Sequence, residues 1–306
     1  MIMRPAQFFM FSLRAANRSD CASRQMGQDV LQSKTRRQAN FRLCNVSSYT
    51  TEIVEIHAGD PTFHVLLIPG NPGVVSFYKD FVESLYELLG GTVSVTAIGH
   101  ISHTKKNWEH GRLFSLLEQT NHKMDFINQE LQNDEVPIVL VGHSIGSYIS
   151  IDLFRRIPEK VRYCIGLYPF LALNTQSKQQ TMIGKIAASP IVCVVLSYMV
   201  ALLGMLPTYA LRLIVKQSLG KSWSATAIEA TCSHLAKLSE TPDWAFMRAK
   251  HHKFAFLFGI DDHWGPLEMF EEISKEVPEI GVSIEREGGH MLSVALRLAH
   301  CGLRNM

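Results

Sequence analysis

The sequence predicts an α/β chain: a mostly parallel sheet with helices on both faces and a helical cap or insert. Three observations carry this. Apolar runs alternate with stretches of helical periodicity. Those runs, HVLLIP at 64–69, IVLV at 138–141 and FAFLF at 254–258, show little internal alternation. Each also stops at or next to a glycine, at Gly70, Gly142 and Gly259. Strands that are apolar on both faces belong to a sheet covered on both sides, and helices between them supply the cover.

In order, Thr51–His57 alternates as a strand and His64–Pro69 is a buried strand. Phe77, Phe81, Leu85 and Leu88 share one helical face over Phe77–Leu89. Thr92–Ile98 is a strand, Leu113–Leu131 a helix and Ile138–Val141 a strand. The helix Ile149–Arg156 ends near Pro158, and Tyr163–Leu167 is the next strand. Downstream, Phe254–Phe258 is a strand, Leu267–Val277 a helix opened by Pro266, and Val282–Ile284 a short strand. Residues 171–250 break the rhythm with helical material. Inside them Ile186–Leu211 carries no formal charge and is bracketed by Lys185 and Arg212.

Composition bounds the rest. The 306 residues are 46% hydrophobic and carry a net charge of +2, so no nucleic-acid partner is implied. The six cysteines never fall at CxxC spacing, which leaves neither a zinc site nor a disulfide framework. His100, His103 and His110 lack metal-ligand spacing, and no phosphate-binding GxxxxGK[ST] occurs, so neither metal nor cofactor is expected. Residues 1–45 are rich in arginine and serine and poor in acids. They fit a disordered basic extension or an organelle transit peptide, with the folded domain over 50–306.

The chemistry starts at Gly142-His143-Ser144-Ile145-Gly146, a G-x-S-x-G between strand and helix. Such an elbow holds its serine in strained backbone, and side chains at the two glycines would strike the neighbouring strand and helix. Ser144 is the expected nucleophile. A serine needs a base, an orienting acid and an oxyanion site. FAFLFGIDDHWGP offers Asp261 and Asp262 beyond a strand; read as GxxDxxxP, the spacing favours Asp262. EREGGHML offers His290 as base after the next strand. His143 adjoins the nucleophile, but neighbouring side chains at a sharp turn diverge, so it reads as structural or as a pocket wall. The oxyanion donors are the N–H groups of Ile145 and of Asn71 in Pro69-Gly70-Asn71-Pro72-Gly73, whose prolines have none to give.

Through IPGNPGVVSFYKDFVESLY, VGHSIGSY and FGIDDHWGP the sequence resembles the lipid droplet-associated hydrolase family, closest to plant-type members, over roughly residues 40–288. The resemblance implies the α/β-hydrolase fold, serine esterase chemistry on a neutral-lipid or sterol ester, and residence at lipid droplets and the endoplasmic reticulum, facing the cytosol. It carries the nucleophile to Ser144 and the acid to Asp262. After Glu285-Arg286-Glu287-Gly288 the chain departs from the family pattern, reading GHMLSVALRLAHCGLRNM. That keeps open a rival reading, a droplet-surface protein that retains the fold without its base. A thioesterase or acyltransferase using the same serine is a third reading. The charge-free block has two readings as well. The 16 residues between Pro190 and Pro207 span about 24 Å as a helix, short of the roughly 30 Å hydrocarbon core. They suit a proline-bent hairpin dipping into a lipid monolayer, or an apolar helix capping the site.

Overall fold

The protein is described by a computed structural model covering residues 37–103, 112, 114–172, 242–260, 262, 265 and 267–285. Eight strands form one sheet: β1 (Asn40–Val46), β2 (Tyr49–Ile56), β3 (His64–Ile68), β4 (Ser94–Ile98), β5 (Ile138–His143), β6 (Val161–Leu167), β7 (Phe254–Gly259) and β8 (Gly281–Glu285). Their spatial order is β1-β2-β4-β3-β5-β6-β7-β8. β1 and β2 pair antiparallel, as do β2 and β4; every later neighbour is parallel. The helices are α1 (Lys79–Leu88), α2 (Leu116–Glu130), α3 (Ile145–Arg156), α4 (Trp244–Ala249) and α5 (Leu267–Glu276).

Strand alternation sorts the core into two layers. Val65 and Leu67 of β3 join Val139 and Val141 of β5 against Phe81, Val82 and Leu85 of α1. Leu66, Ile68 and Leu140 face the other way, against Phe126 of α2, Ile149 and Leu153 of α3 and Ile273 of α5. The central strands are thus buried on both faces, as their unbroken apolar runs required.

Three boundaries differ from the sequence reading. The sheet begins at Asn40, inside the stretch assigned to the basic extension up to residue 45. Arg42 is the physical reason: its guanidinium bonds Glu55 of β2 at 2.6 Å and Glu130 of α2 at 2.6 Å, so this base is spent within the fold. The turn joining β1 to β2 uses Ser47 and Ser48, both at positive φ, without the Asn-Gly signature that marks such turns in sequence. Next, α2 starts at Leu116 because Ser115 and Glu118 form a reciprocal capping box, Glu118 N–H to Ser115 Oγ at 3.2 Å and Ser115 N–H to Glu118 Oε2 at 2.8 Å. Finally, α3 starts at Ile145, four residues earlier than its apolar periodicity indicated.

Among the described residues no helix is long and apolar enough to cross a membrane. The run 186–211 and the rest of the insert over 173–241 lie outside the described residues.

Candidate active site

β5 ends at His143 and α3 starts at Ile145, so one residue, Ser144, makes the whole turn. Its backbone sits at φ 52° and ψ −121°, a conformation that costs an L-residue about 1–3 kcal/mol. Three hydrogen bonds hold it there. The Ser144 N–H donates to Leu167 O at 2.9 Å, and its carbonyl accepts from Ser147 N–H at 2.9 Å and Phe170 N–H at 3.1 Å. With the backbone committed, the side chain is left partly exposed at the head of α3. The two flanking glycines are a spatial necessity. A Cβ on Gly142 would lie 2.4 Å from Gly146 O, and one on Gly146 would lie 2.1 Å from Ile68 O. The expected elbow therefore has its expected geometry. Ile145, as the first helical residue, has an N–H that no turn of α3 can accept.

The loop after β3 lies directly against this turn. A Cβ on Gly70 would fall 2.9 Å from His143 Nδ1 and 3.0 Å from Ser144 Cβ. Asn71 follows, partly exposed. The Gly70 N–H donates to Tyr78 Oη at 3.0 Å, and Tyr78 Oη meets His143 Nδ1 at 2.8 Å. A phenol that accepts from Gly70 directs its own proton to His143, which fixes the imidazole as the Nε2–H tautomer. The His143 ring keeps a little surface, yet the protein packed around it lowers its pKa to about 4 by desolvation. Burial likewise pushes the Tyr78 phenol up. His143 is thus neutral near pH 7 and bonded to a tyrosine, in keeping with a structural role.

Asp262 stands beyond β7, with its N–H donating to Gly259 O at 3.3 Å. A Cβ on Gly265 would come within 3.0 Å of Asp262 Oδ2 and 2.6 Å of Pro169 O, so the carboxylate is pressed against the chain leaving β6. Tyr168 links it to the elbow. Its backbone sits at φ 47°, its N–H donates to Leu257 O at 2.7 Å, and its ring meets His143 edge-on at 6.2 Å. β5, β6 and β7 are successive neighbours, so Ser144 and Asp262 leave the same sheet edge two strand spacings, roughly 10 Å, apart. Asp261 and His290 lie outside the described residues. The structure sets Gly142, Ser144, Ile145 and Gly146 in one turn, with the loop that carries Asn71 against it, and places Asp262 two strands away. It adds Tyr78 and Tyr168, which no sequence spacing singles out, because each acts across the fold.

The sheet and its covering helices are an architecture shared with solved structures. The chain is similar to a loop variant of a haloalkane dehalogenase from Bradyrhizobium elkanii, at TM-score 0.63 and 14% identity over 86% of this chain and 96% of that one. It is also similar to the thioesterase domain from the curacin biosynthetic pathway, at TM-score 0.59 and 16% identity over 87% and 99%. Those likenesses are of fold, and the fold is that of the α/β-hydrolases. A sequence model for a family described as lipid-droplet associated hydrolase matches residues 61–291. The chain belongs to that family. Among its relatives, the lipid droplet-associated hydrolase of Homo sapiens is 28% identical over 72% of this chain and 76% of its own length. That of Gallus gallus is 26% identical over 74% and 78%, and that of Dictyostelium discoideum 25% over 74% and 81%.

Proposed function

We propose that this chain is a serine hydrolase for fatty-acyl esters, of neutral lipid or sterol type, working at the surface of lipid droplets and the endoplasmic reticulum in lipid storage and turnover. The observation that carries the reading is Ser144: a serine held at φ 52° at the C-terminal end of a central parallel strand, with the Gly70 loop folded against it. The relatives' names support the lipid-droplet setting.

In this reading Ser144 Oγ attacks the ester carbonyl while His290 takes its proton. Asp262 orients His290 and stabilises the imidazolium. The N–H groups of Asn71 and Ile145 hold the oxyanion. Collapse of the tetrahedral intermediate expels the alcohol, which leaves with the proton from His290, and Ser144 is left acylated. Water, deprotonated by His290, then attacks the acyl-enzyme and releases the fatty acid.

The test is labelling of the full chain by a fluorophosphonate probe, with hydrolysis of a long-chain acyl ester measured alongside. Ser144→Ala is expected to abolish labelling and to cut turnover by about 10⁴-fold or more. Persistent labelling of that variant would refute the assignment. A wild-type chain inert to the probe would favour the non-catalytic surface protein instead.

A further inference from the structure

We propose that Tyr78 and His103 are positioning residues of the oxyanion loop, two buried side chains that grip the N–H groups of Gly70 and Gly73 and so set the Asn71 amide between them. The proposal rests on the serine-hydrolase reading above and deepens it.

The loop Pro69–Gly73 contains two glycines, residues that roam widely in φ and ψ when nothing restrains them. An oxyanion donor cannot roam, because its N–H must already point at the place where charge develops. The structure restrains both glycines from a distance. At the near end Gly70 N–H donates to Tyr78 Oη at 3.0 Å, with Tyr78 buried and its hydroxyl tied to His143. At the far end Gly73 N–H donates to His103 Nδ1 at 3.0 Å, with His103 buried to 2% exposure. Gly73 is gripped twice more. Its carbonyl accepts from His100 N–H at 3.1 Å, and a Cβ there would lie 2.4 Å from the His100 ring.

His103 is itself backed by a firm segment. Gln119 of α2 clasps Ile101 at both ends, accepting its N–H at 3.0 Å and donating to its carbonyl at 3.1 Å. The fully buried Lys123 donates to Gly99 O at 2.9 Å and to Gln119 Oε1 at 3.1 Å. Gly99 N–H donates to Glu52 O of β2 at 3.0 Å. The chain of support runs from the middle of a helix, through residues 99–103, to one peptide of the oxyanion loop. Two side chains 25 positions apart thereby fix the same five-residue loop.

The experiment uses the full chain and three variants: Tyr78→Phe, His103→Leu and His103→Asn, whose amide oxygen stands where Nδ1 accepts. Turnover of an acyl ester, melting temperature and amide hydrogen exchange over residues 70–74 are measured on each. Tyr78→Phe and His103→Leu are expected to lower kcat about 10- to 100-fold with KM altered less than about threefold. Exchange over 70–74 should quicken while that of β5 and α3 stays unchanged. His103→Asn should restore protection and bring kcat back to within about threefold of wild type. Unchanged exchange at 70–74 in Tyr78→Phe and His103→Leu would overturn the proposal. So would a kcat loss matched by faster exchange across the whole sheet, or failure of Asn to rescue a folded His103 variant. Should His103→Leu not fold, Tyr78→Phe, which removes a single oxygen, decides. An inactive wild type would sink the hydrolase reading, and the exchange data would still judge the two grips.

Discussion

Two glycine-bracketed turns meet at the sheet edge, one after β5 and one after β3, and their glycines answer different constraints. In the elbow, a Cβ on Gly142 or Gly146 would strike backbone, at 2.4 Å and 2.1 Å. In the oxyanion loop, a Cβ on Gly73 would strike the His100 ring, and one on Gly70 would first meet His143 Nδ1. The elbow is shaped by the path of its own chain, a strand that must become a helix within one residue. The loop is shaped by what packs on it from elsewhere. A backbone obstruction cannot turn aside, whereas a side chain can; the two turns should therefore differ in how they tolerate change.

The largest expected effect is at the elbow. Gly146→Ala should destabilise the fold by about 3 kcal/mol, read as a lower urea midpoint, because carbonyl oxygens of Ile68 and Pro69 block the new methyl. No side-chain truncation nearby should rescue it. Gly73→Ala should cost less, about 2 kcal/mol, since two of its three nearest obstructions are His100 ring atoms and only the third, His100 Cβ at 2.5 Å, stays with the backbone. Combining it with His100→Gly, which removes the ring and the Cβ, should recover most of that loss; a purely additive pair would erase the distinction between the turns.

Smaller again is the strain at Ser144 itself. Ser144→Gly should raise stability by about 1 kcal/mol while abolishing probe labelling, because glycine reaches φ 52° without a Cβ penalty. A stability no higher than wild type would mean the serine is not strained. Acid acts through His143, which bridges the two turns. Desolvation holds its pKa near 4 in the fold against 6.5 unfolded, so the unfolded chain takes up the proton first. Its contribution is complete above pH 6.5 and is lost as pH falls towards 4. Buried His64, at about 4, and His122, at about 2, act in the same direction by the same cause. Glu55, lowered to about 2 by His57 and Arg42 although burial opposes this, adds its loss only below pH 4.5. His143→Gln should flatten part of the fall in melting temperature between pH 7 and pH 4. An unaltered slope would show that the ring is not the group titrating.

Much of the sheet was legible before the structure. β3, β5, β6 and β7 fall where apolar runs placed them, since burial on both faces leaves no polar alternation to misread. β1 escaped notice because its pattern mixes Phe41 and Leu43, which stay exposed, with Arg42, whose charge reads as extension until Glu55 and Glu130 are seen beside it. At the site, Ser144 and its glycines were legible because their constraint is local. That an acid follows β7 was legible from FAFLFGIDD; the choice of Asp262 rested on the GxxDxxxP spacing. Tyr78 and His103 were not, since nothing in VSFYKD or HISHTKK marks an acceptor for a glycine N–H.

The sequence alone determined the strand–helix rhythm and a serine that must stand at a strained turn. Both follow from spacing along the chain, where sterics and hydrophobic period act between near neighbours. Only the tertiary structure decided how the loop after β3 is held. Its N–H groups bond to a tyrosine eight residues on and a histidine thirty residues on, and such partners exist only once the sheet has brought their segments together.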